Sequence, residues 1–582
     1  MSGISRRRLL QAGISAGMVG TLPQLFSSVA GGSSPTLEKF VQSLPIPEPR
    51  QPDGRRRGAL SHTISIEEFS QNLHPALGAT TLWGYDGQYP GPLIEAKHNQ
   101  RLAVRFDNSE LPSEHLFAVD ERIGGTTAEN HPGYDGSEPV PAVRTVTHFH
   151  GLSVAPEHDG QSDMWHSPDG QTGPRRTAEW QELPMNQHRL TSTYHDHTLG
   201  IVRLNAYAGL VGLVALTGHR ESKLGLPAGE YDIPLLIQDK SFNEDGSLSY
   251  PERWTPQFAG DTAVVNGAVW PSLEVEPRRY RFRLLNGANH RTFGLRLASE
   301  SGIGVPPLYQ FAPDQGYLES VVPIGPGGDL ETLVLQPFER GEVIVDFASF
   351  AGETLVLKNV AELPYRGEHS GSDLEELLQI RVTDPTSPPH DPSIDPQRLT
   401  LPTHQTPQSA DATRTRSMDL GVSVADGLVT YQLNGYGFGN ADGVVRPQRD
   451  TTEIWELQNT TSGSHPIHLH LVTFRVIGRG PDGTDPPDPN ERGHKDTVRV
   501  APNETVRIAV RFDGYTGQFP WHCHMLEHED NKMMLRFEVT DDEETGNGNG
   551  HGNGRGNGHQ KGRGNGHDNG RGNGHGKGHN NV

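Results

Sequence analysis

Residues 521–534 read WHCHMLEHEDNKMM and contain the only cysteine of the chain, Cys523, between two histidines. On an extended strand, consecutive side chains point to opposite faces, so Cys523 must face away from its neighbours His522 and His524. Another histidine, His528, and then Met533 follow within the same stretch. The sequence therefore predicts two sites placed back to back on one strand.

Three further His-x-His pairs occur in the body of the chain, in the segments THFHG, TYHDH and HPIHLH. Histidines two residues apart on a strand point to one face, so each pair can present both rings to the same site. With the pair around Cys523, the chain predicts one site with eight imidazoles, which come from His148, His150, His195, His197, His468, His470, His522 and His524.

The other site is predicted around the thiol. His465 lies three residues before His468 and so points away from it on an extended strand, although Pro466 can introduce a bulge. One cysteine, two histidines and a weak methionine ligand form the donor set of a blue-copper centre. Zinc is the competing metal, but structural zinc sites take four ligands, often several cysteines, and do not explain eight clustered imidazoles. The predicted ligands are Cys523, His465, His528 and Met533, the last chosen over Met534 for its spacing from the cysteine.

Short apolar runs bounded by turn residues, such as RLAVRF, YRFRLLNG and ETVRIAVRF, indicate β-strands. A chain of 582 residues is too long for one hydrophobic core. Linkers at 217–232 and 382–397 divide it into three blocks, each suited to one β-sandwich. We therefore predict an all-β protein with domains at 59–219, 228–383 and 396–540.

The segments HFHG, YHDH, HPIHLH and HCHMLEHEDNKMM resemble the four copper-binding motifs of the multicopper oxidases, and the resemblance covers residues 55–540. It implies three cupredoxin-like Greek-key β-sandwich domains, with a type 1 copper in the third and a trinuclear cluster between the first and the third. Four coppers per chain are implied. By motif position, His465, Cys523, His528 and Met533 would bind type 1 copper, and His148 and His468 type 2 copper. The type 3 pair would be bound by His150, His195, His197, His470, His522 and His524.

The resemblance also implies the chemistry. A laccase-like oxidase would remove single electrons from phenols and aromatic amines at the type 1 copper, and Cys523 would pass them through His522 and His524 to the cluster. There, four electrons would reduce O2 to water. Glu529 and Asp159 look like the acidic residues that deliver protons in related bacterial laccases. Asp196 or Asp530 is expected to accept a hydrogen bond from a ligating histidine.

Alternative functions remain open at this point. Segments 203–212 and 264–295 resemble the group of spore-coat laccases, phenoxazinone synthases and bilirubin oxidases. Fungal bilirubin oxidases carry a tryptophan where this chain has Gly463, which favours a laccase. A Cu(I), Fe(II) or Mn(II) oxidase is a further alternative, although none of the eight methionines cluster away from the copper motif, which disfavours Cu(I). A non-enzymatic copper-binding or tolerance protein is the alternative outside the enzymes.

The two ends of the chain have compositions of their own. Arg6 and Arg7, an apolar run and a small-residue stretch ending at Ala30 are typical of a twin-arginine signal peptide at 1–30. Residues 31–58 are predicted to be an irregular lead-in. The Gly/Asn/His-rich repeat at 546–582 is predicted to be disordered. We expect an exported protein, either extracellular or in the periplasm and at the cell surface.

Charge limits the partners of this protein. The net charge of −22 argues against nucleic acid and anionic membranes, and no segment after the signal is apolar enough to insert into a membrane. An acidic, lysine-poor composition is typical of salt-loving prokaryotes, although GC-rich codon usage also favours arginine over lysine. The expected partners are O2 and small aromatic reductants, and we expect a monomer.

Overall fold

A computed structural model describes residues 29–30 and 34–541, except 136, 219–220, 366–372, 386–388, 404–405 and 426–427. The predicted tail and most of the predicted signal peptide lie outside the described residues. Strands make up 42% of the structure and helices 7%, which confirms the all-β class. The domain boundaries stay predictions, but the strands form three pairs of sheets in chain order.

The first pair of sheets is formed by nine strands and holds two of the histidine motifs. One sheet has the order β5-β10-β9-β7, and the other has the order β2-β3-β6-β8 with β4 added on β3. Apolar residues from both sheets, including Ile64, Trp83 and Val214, share one core, so the sheets pack face to face. The strands are β2 Gly54–Arg56, β3 Ala59–Gln71, β4 Thr80–Tyr85, β5 Gly91–Lys97, β6 Leu102–Glu110, β7 Thr147–Phe149, β8 Gln181–Leu183, β9 Leu190–Asp196 and β10 Val211–Thr217. Helix α1, Val202–Ala208, follows β9. Strand β1, Val29–Ala30, precedes both sheets in the chain and pairs with Phe258–Ala259.

The second pair of sheets contributes none of the twelve predicted metal ligands. Its sheets have the orders β15-β14-β11-β17-β22-β19-β20, with β12 added on β11, and β16-β24-β23-β18-β21. The strands are β11 Asp232–Phe242, β12 Leu248–Ser249, β14 Thr262–Val265, β15 Ala268–Val269, β16 Ser272–Val275, β17 Arg279–Asn286, β18 Phe293–Ser299, β19 Leu308–Ala312, β20 Val322–Ile324, β21 Leu333–Leu335, β22 Arg340–Asp346, β23 Thr354–Asn359 and β24 Glu376–Val382. Strand β13, Phe258–Ala259, lies between β12 and β14 in the chain but pairs with β1 in a separate two-stranded sheet.

The third pair of sheets carries the Cys523 stretch. Its sheets have the orders β26-β25-β27-β31-β29 and β30-β28-β32-β33, and Trp455 and Trp521 lie in the core they share. The strands are β25 Ala412–Ala425, β26 Leu428–Leu433, β27 Thr451–Asn459, β28 His465–Leu469, β29 Phe474–Gly478, β30 Thr497–Val500, β31 Thr505–Phe512, β32 Gly517–Cys523 and β33 Met534–Val539. Helix α2, Leu526–Asp530, connects β32 to β33.

Strand register places the histidine motifs opposite one another. In the first sandwich β7 pairs antiparallel with β9, so that His148 is opposite His195. In the third sandwich β28 pairs antiparallel with β32, so that His468 is opposite His522. Each sandwich therefore brings two motifs, separated in sequence, to one place on a sheet.

Candidate metal centres

The thiol of Cys523 lies between two imidazoles. Its Sγ is 3.5 Å from Nδ1 of His465 and 3.7 Å from Nδ1 of His528, and these two nitrogens are 3.2 Å apart. All three side chains are buried. His465 begins β28, Cys523 ends β32 and His528 lies in α2, so two strands and a short helix build the site. It is the grouping that strand alternation predicts.

Hydrogen bonds from the other ring nitrogens hold both histidines with Nδ1 toward the thiol. His528 Nε2 donates to the carbonyl of Pro256 at 3.1 Å, and His465 Nε2 lies 2.7 Å from Thr461 Oγ1. The ring of Tyr431 stacks on His528 with centroids 3.8 Å apart. These contacts fix the ring orientation and leave both Nδ1 atoms available to a metal.

A methionine accompanies the thiol. Met533 is fully buried, and its carbonyl accepts a 3.0 Å hydrogen bond from the backbone N–H of Cys523. The neighbouring Met534 pairs with His522 on β32, and its sulfur accepts from Ser162 Oγ at 3.4 Å. Because the Met534 sulfur already accepts this hydrogen bond, Met533 is the better candidate for the fourth ligand.

The charge states of this site suit copper. Burial raises the pKa of the Cys523 thiol and lowers the pKa of His465 to about 3. The imidazole is thus neutral, the form that binds metals, and a bound cation would replace the thiol proton. A thiolate with two imidazoles and a thioether is the soft donor set that selects copper.

The other eight histidines converge in three buried groups. His148 and His468 each direct a buried Nε2 that has no hydrogen-bond partner. Their Nδ1 atoms lie 2.6 Å from the carbonyl of Asp159 and 2.8 Å from the carbonyl of Asp496. A buried imidazole nitrogen without a partner is costly unless a ligand completes it. These two residues fit the predicted type 2 ligands.

The remaining six form two triads, and in each triad the ligand atoms lie within 4.8 Å of one another. Each triad takes one residue from the WHCH motif, so His522 and His524 belong to different triads. The sequence predicts the six residues but not this division. The triads are His150, His195 and His524, and His197, His470 and His522.

Burial governs the protonation of these rings as well. It lowers the pKa of His150 to about 4 and holds the pKa of His148 and His470 well below the ordinary value, with a further contribution from neighbouring imidazoles at the last two. Uncharged imidazoles packed this closely can bind several cations without first releasing protons.

The two predicted carboxylates both lie against the cluster. Glu529 places one oxygen 2.8 Å from His197 Nδ1 and the other 3.1 Å from His522 Nδ1, so it bridges two members of one triad. Asp159 Oδ2 is 3.0 Å from His470 Nδ1. Both carboxylates therefore contact ring nitrogens that face away from the predicted ligand position.

Asp196 accepts the expected hydrogen bond through its main chain instead of its side chain, and the prediction for Asp530 is wrong. Asp196 accepts from His195 Nδ1 at 2.8 Å, but through its backbone carbonyl, because its carboxylate binds the backbone N–H of Thr198. The carboxylate of Asp530 accepts from Arg203 Nη1 at 2.8 Å and from backbone N–H groups at the start of α1. The α2 turn points Asp530 toward α1 instead of toward a ligating histidine.

Three residues beside the cluster could not be predicted from the sequence. Asp496 lies 2.9 Å from His150 Nε2, Arg340 pairs with Asp496, and the ring of Phe338 stacks on His524 with centroids 4.0 Å apart. Phe338 and Arg340 belong to the second sandwich, which has no metal-ligand motif. In the sequence, the feature that could have indicated Asp496 is its position as a carboxylate directly before the buried strand β30.

Comparisons with known proteins agree with this geometry. The multicopper oxidase family profile matches residues 397–543. The chain is 65% identical to a laccase of Haloferax volcanii, over 93% of this chain and 91% of that protein. It is 32% identical to a bilirubin oxidase of Albifimbria verrucaria, over 89% and 84% of the two chains. A crystal structure of a Pediococcus acidilactici laccase superposes with a TM-score of 0.67 at 27% identity, covering 88% of this chain and 96% of that one. The chain therefore belongs to the multicopper oxidase family, and within it is a laccase-like, copper-dependent oxidoreductase that uses oxygen.

Proposed function

We propose that this protein oxidises phenols and aromatic amines at the Cys523 site and uses the electrons to reduce O2 to water at the eight-histidine site. One observation carries the proposal. Cys523 is covalently joined to His522 and His524, and these two histidines enter different triads. The thiol site is therefore linked through the backbone to both halves of the cluster.

Copper in these sites would supply one-electron transfer at the thiolate and O2 reduction at the cluster. The chain's own part is to orient the donors and exclude water. All eight cluster histidines are buried, and hydrogen bonds to carbonyls or carboxylates hold most of them. Donor atoms held in place before metal binding need little rearrangement as electrons arrive.

Reduction of O2 also consumes protons, and we assign their delivery to Asp159 and Glu529. Each carboxylate lies within hydrogen-bond distance of an imidazole of the cluster. Burial also raises the pKa of Asp159 well above that of an ordinary aspartate, which supports a role for its carboxyl group as a proton carrier. Burial alone would raise the pKa of Glu529, but the two flanking imidazoles hold it well below that of an ordinary glutamate, so Glu529 stays ionised and can relay a proton without storing one.

Activity measurements with different reductants distinguish a laccase from a bilirubin oxidase, a metal oxidase and a copper-binding protein. Oxygen uptake by the copper-loaded protein should be measured with a phenol, bilirubin, Fe(II), Mn(II) and Cu(I) in turn. We expect the highest kcat/KM with the phenol, in line with the 65% identity to a laccase and 32% to a bilirubin oxidase. Preference for bilirubin or a metal ion would reassign the substrate, and no uptake with any reductant would favour a copper-binding protein.

We also propose export by the twin-arginine route to the cell surface, periplasm or medium, as a monomer. The support is the order of Arg6, Arg7, an apolar run and small residues at the N-terminus. Across the residues that the structure describes, no helix has the length and apolar character needed to cross a bilayer. Replacing both arginines by lysine should retain the protein in the cytoplasm. Unchanged export of that variant would exclude the route, and size-exclusion chromatography tests the monomer.

A further inference from the structure

His150 is oriented differently from its neighbours in the cluster. Six of the eight histidines are held through Nδ1, by a carbonyl or a carboxylate, which leaves Nε2 toward the cluster. His150 is held instead through Nε2, by Asp496 Oδ1 at 2.9 Å and Thr497 Oγ1 at 3.1 Å. Its Nδ1 faces His524 Nε2 at 3.1 Å. His150 must therefore carry its proton on Nε2 to present a lone pair at Nδ1.

Asp496 also holds a second ligand in the opposite tautomer. Its backbone carbonyl lies 2.8 Å from Nδ1 of His468, whose Nε2 is buried and has no partner. A carbonyl oxygen only accepts hydrogen bonds, so it selects the form of His468 with the proton on Nδ1. The side chain and the main chain of one residue thus specify different tautomers in two ligands.

Arg340 fixes the carboxylate of Asp496 from the second sandwich. Its Nη1 and Nη2 donate to Oδ1 and Oδ2 of Asp496, both at 2.6 Å, and both side chains are fully buried. A bidentate pair of this kind holds a carboxylate in one plane. Arg340 is itself anchored, because its backbone N–H donates to Asp314 Oδ1 at 3.0 Å and its Nε donates to the carbonyl of Thr191 at 3.2 Å.

A glycine directly after His150 leaves space for the carboxylate of Asp496. Gly151 directly follows His150 and has φ of +78°. A Cβ at this position would collide with Oδ2 of Asp496 and crowd the amide of Gln315. The backbone after His150 therefore runs directly against the Asp496 carboxylate.

We propose that Asp496, held by Arg340, is the positioning residue that sets the opposite tautomers of His150 and His468. The second sandwich, which provides no metal ligand, thereby acts on the cluster between the other two. The proposal rests on the proposed function only in that these histidines bind copper. It assigns Asp496 no contact with substrate or O2.

Asp496→Asn tests the proposal with almost no change in shape. In either orientation of the new amide, an NH2 group meets a donor, the His150 Nε2–H on one side or the Arg340 guanidinium on the other. Where the NH2 group faces His150, the clash is relieved by moving the His150 proton to Nδ1, where it blocks the ligand position; where it faces Arg340, the bidentate pair that holds the side chain is broken. We expect copper retention at the cluster against a chelator to fall about 10- to 100-fold, as for other residues that orient metal ligands.

The readouts are copper content, the paramagnetic resonance signals of the cluster and the blue absorption of the thiolate site. The blue absorption should persist in Asp496→Asn, because Asp496 does not contact Cys523 or the two histidines of the thiol site, His465 and His528. Arg340→Met should reproduce the cluster defect. The matched controls are Glu491→Gln and Arg479→Met, which break another buried pair in the third sandwich that touches no ligating histidine.

Full copper content with parental cluster spectra in Asp496→Asn would overturn the proposal. Equal cluster losses in the Glu491→Gln control would also overturn it, because the effect would then be general destabilisation. The outcome is independent of turnover. If the parent consumes no O2 with any reductant, the proposed function fails, whereas selective copper loss in Asp496→Asn would still support the positioning role.

Discussion

Replacing Glu491 by glutamine should destabilise the third sandwich at neutral pH. Glu491 is buried against Arg479, whose Nε donates to its carboxylate at 2.6 Å and whose Nη2 contacts the other oxygen. Burial alone would raise the pKa of Glu491, but Arg479 outweighs it and lowers the pKa from 4.5 to about 2. One unit of pKa corresponds to about 1.4 kcal/mol, so the ionised pair stabilises the fold by about 3 kcal/mol at pH 7.

The pH dependence of this contribution has a defined direction. Because the pKa of Glu491 is lower in the folded chain, its contribution is complete above the ordinary value of 4.5. It decreases as the pH falls through that value and is lost below about 2, where the carboxyl is protonated in both states. The stability difference between the parent and Glu491→Gln should therefore shrink steadily in acid.

Denaturant unfolding at several pH values, followed by circular dichroism, measures this difference. Both proteins should be copper-depleted, so that copper loss in acid does not contribute. Glu319→Gln is the matched control, because Glu319 forms an exposed pair with Arg475 at 2.6 Å and should cost less than about 1 kcal/mol. A loss below about 1 kcal/mol at pH 7, or a difference that stays constant in acid, would refute the argument.

Three further substitutions test the site. Cys523→Ser removes the thiolate and should abolish the blue absorption of the copper-loaded protein; a surviving blue colour would exclude Cys523 as a ligand. Asp159→Asn keeps the shape near His470 but cannot carry a proton, and kcat should fall about 100-fold or more with the blue absorption unchanged. Unchanged kcat would remove Asp159 from proton delivery. Tyr431→Ala removes the ring stacked on His528 and should destabilise the protein by about 3 kcal/mol and shift the blue band, whereas an unchanged band and melting temperature would contradict the packing.

The sequence was most informative where a local rule governs the side chain. Alternation along β32 is sufficient to separate Cys523 from His522 and His524, and the structure places them in different groups. The same rule separates His465 from His468, because Pro466 does not disturb the pairing of β28. The all-β class follows equally from short runs and turns, which are local features.

Features that depend on how the sandwiches pack could not be predicted. Arg340 reaches Asp496 from another sandwich, and no local pattern specifies such a contact. The helical turn of α2 directs Glu529 to His197 and His522 although its neighbour His528 faces the thiol. It also directs Asp530 to Arg203, which explains why the expectation for that residue was wrong. In a helix, adjacent residues point in directions that strand alternation cannot describe.

The central claim is that electrons taken at the Cys523 site reduce O2 to water at the histidine cluster. Its most direct test is the stoichiometry of O2 consumption against phenol oxidation by the copper-loaded protein, with hydrogen peroxide assayed in the same sample. We predict four one-electron oxidations for each O2 consumed and no peroxide released. Two oxidations for each O2 with accumulating peroxide, or phenol oxidation without O2 uptake, would contradict it.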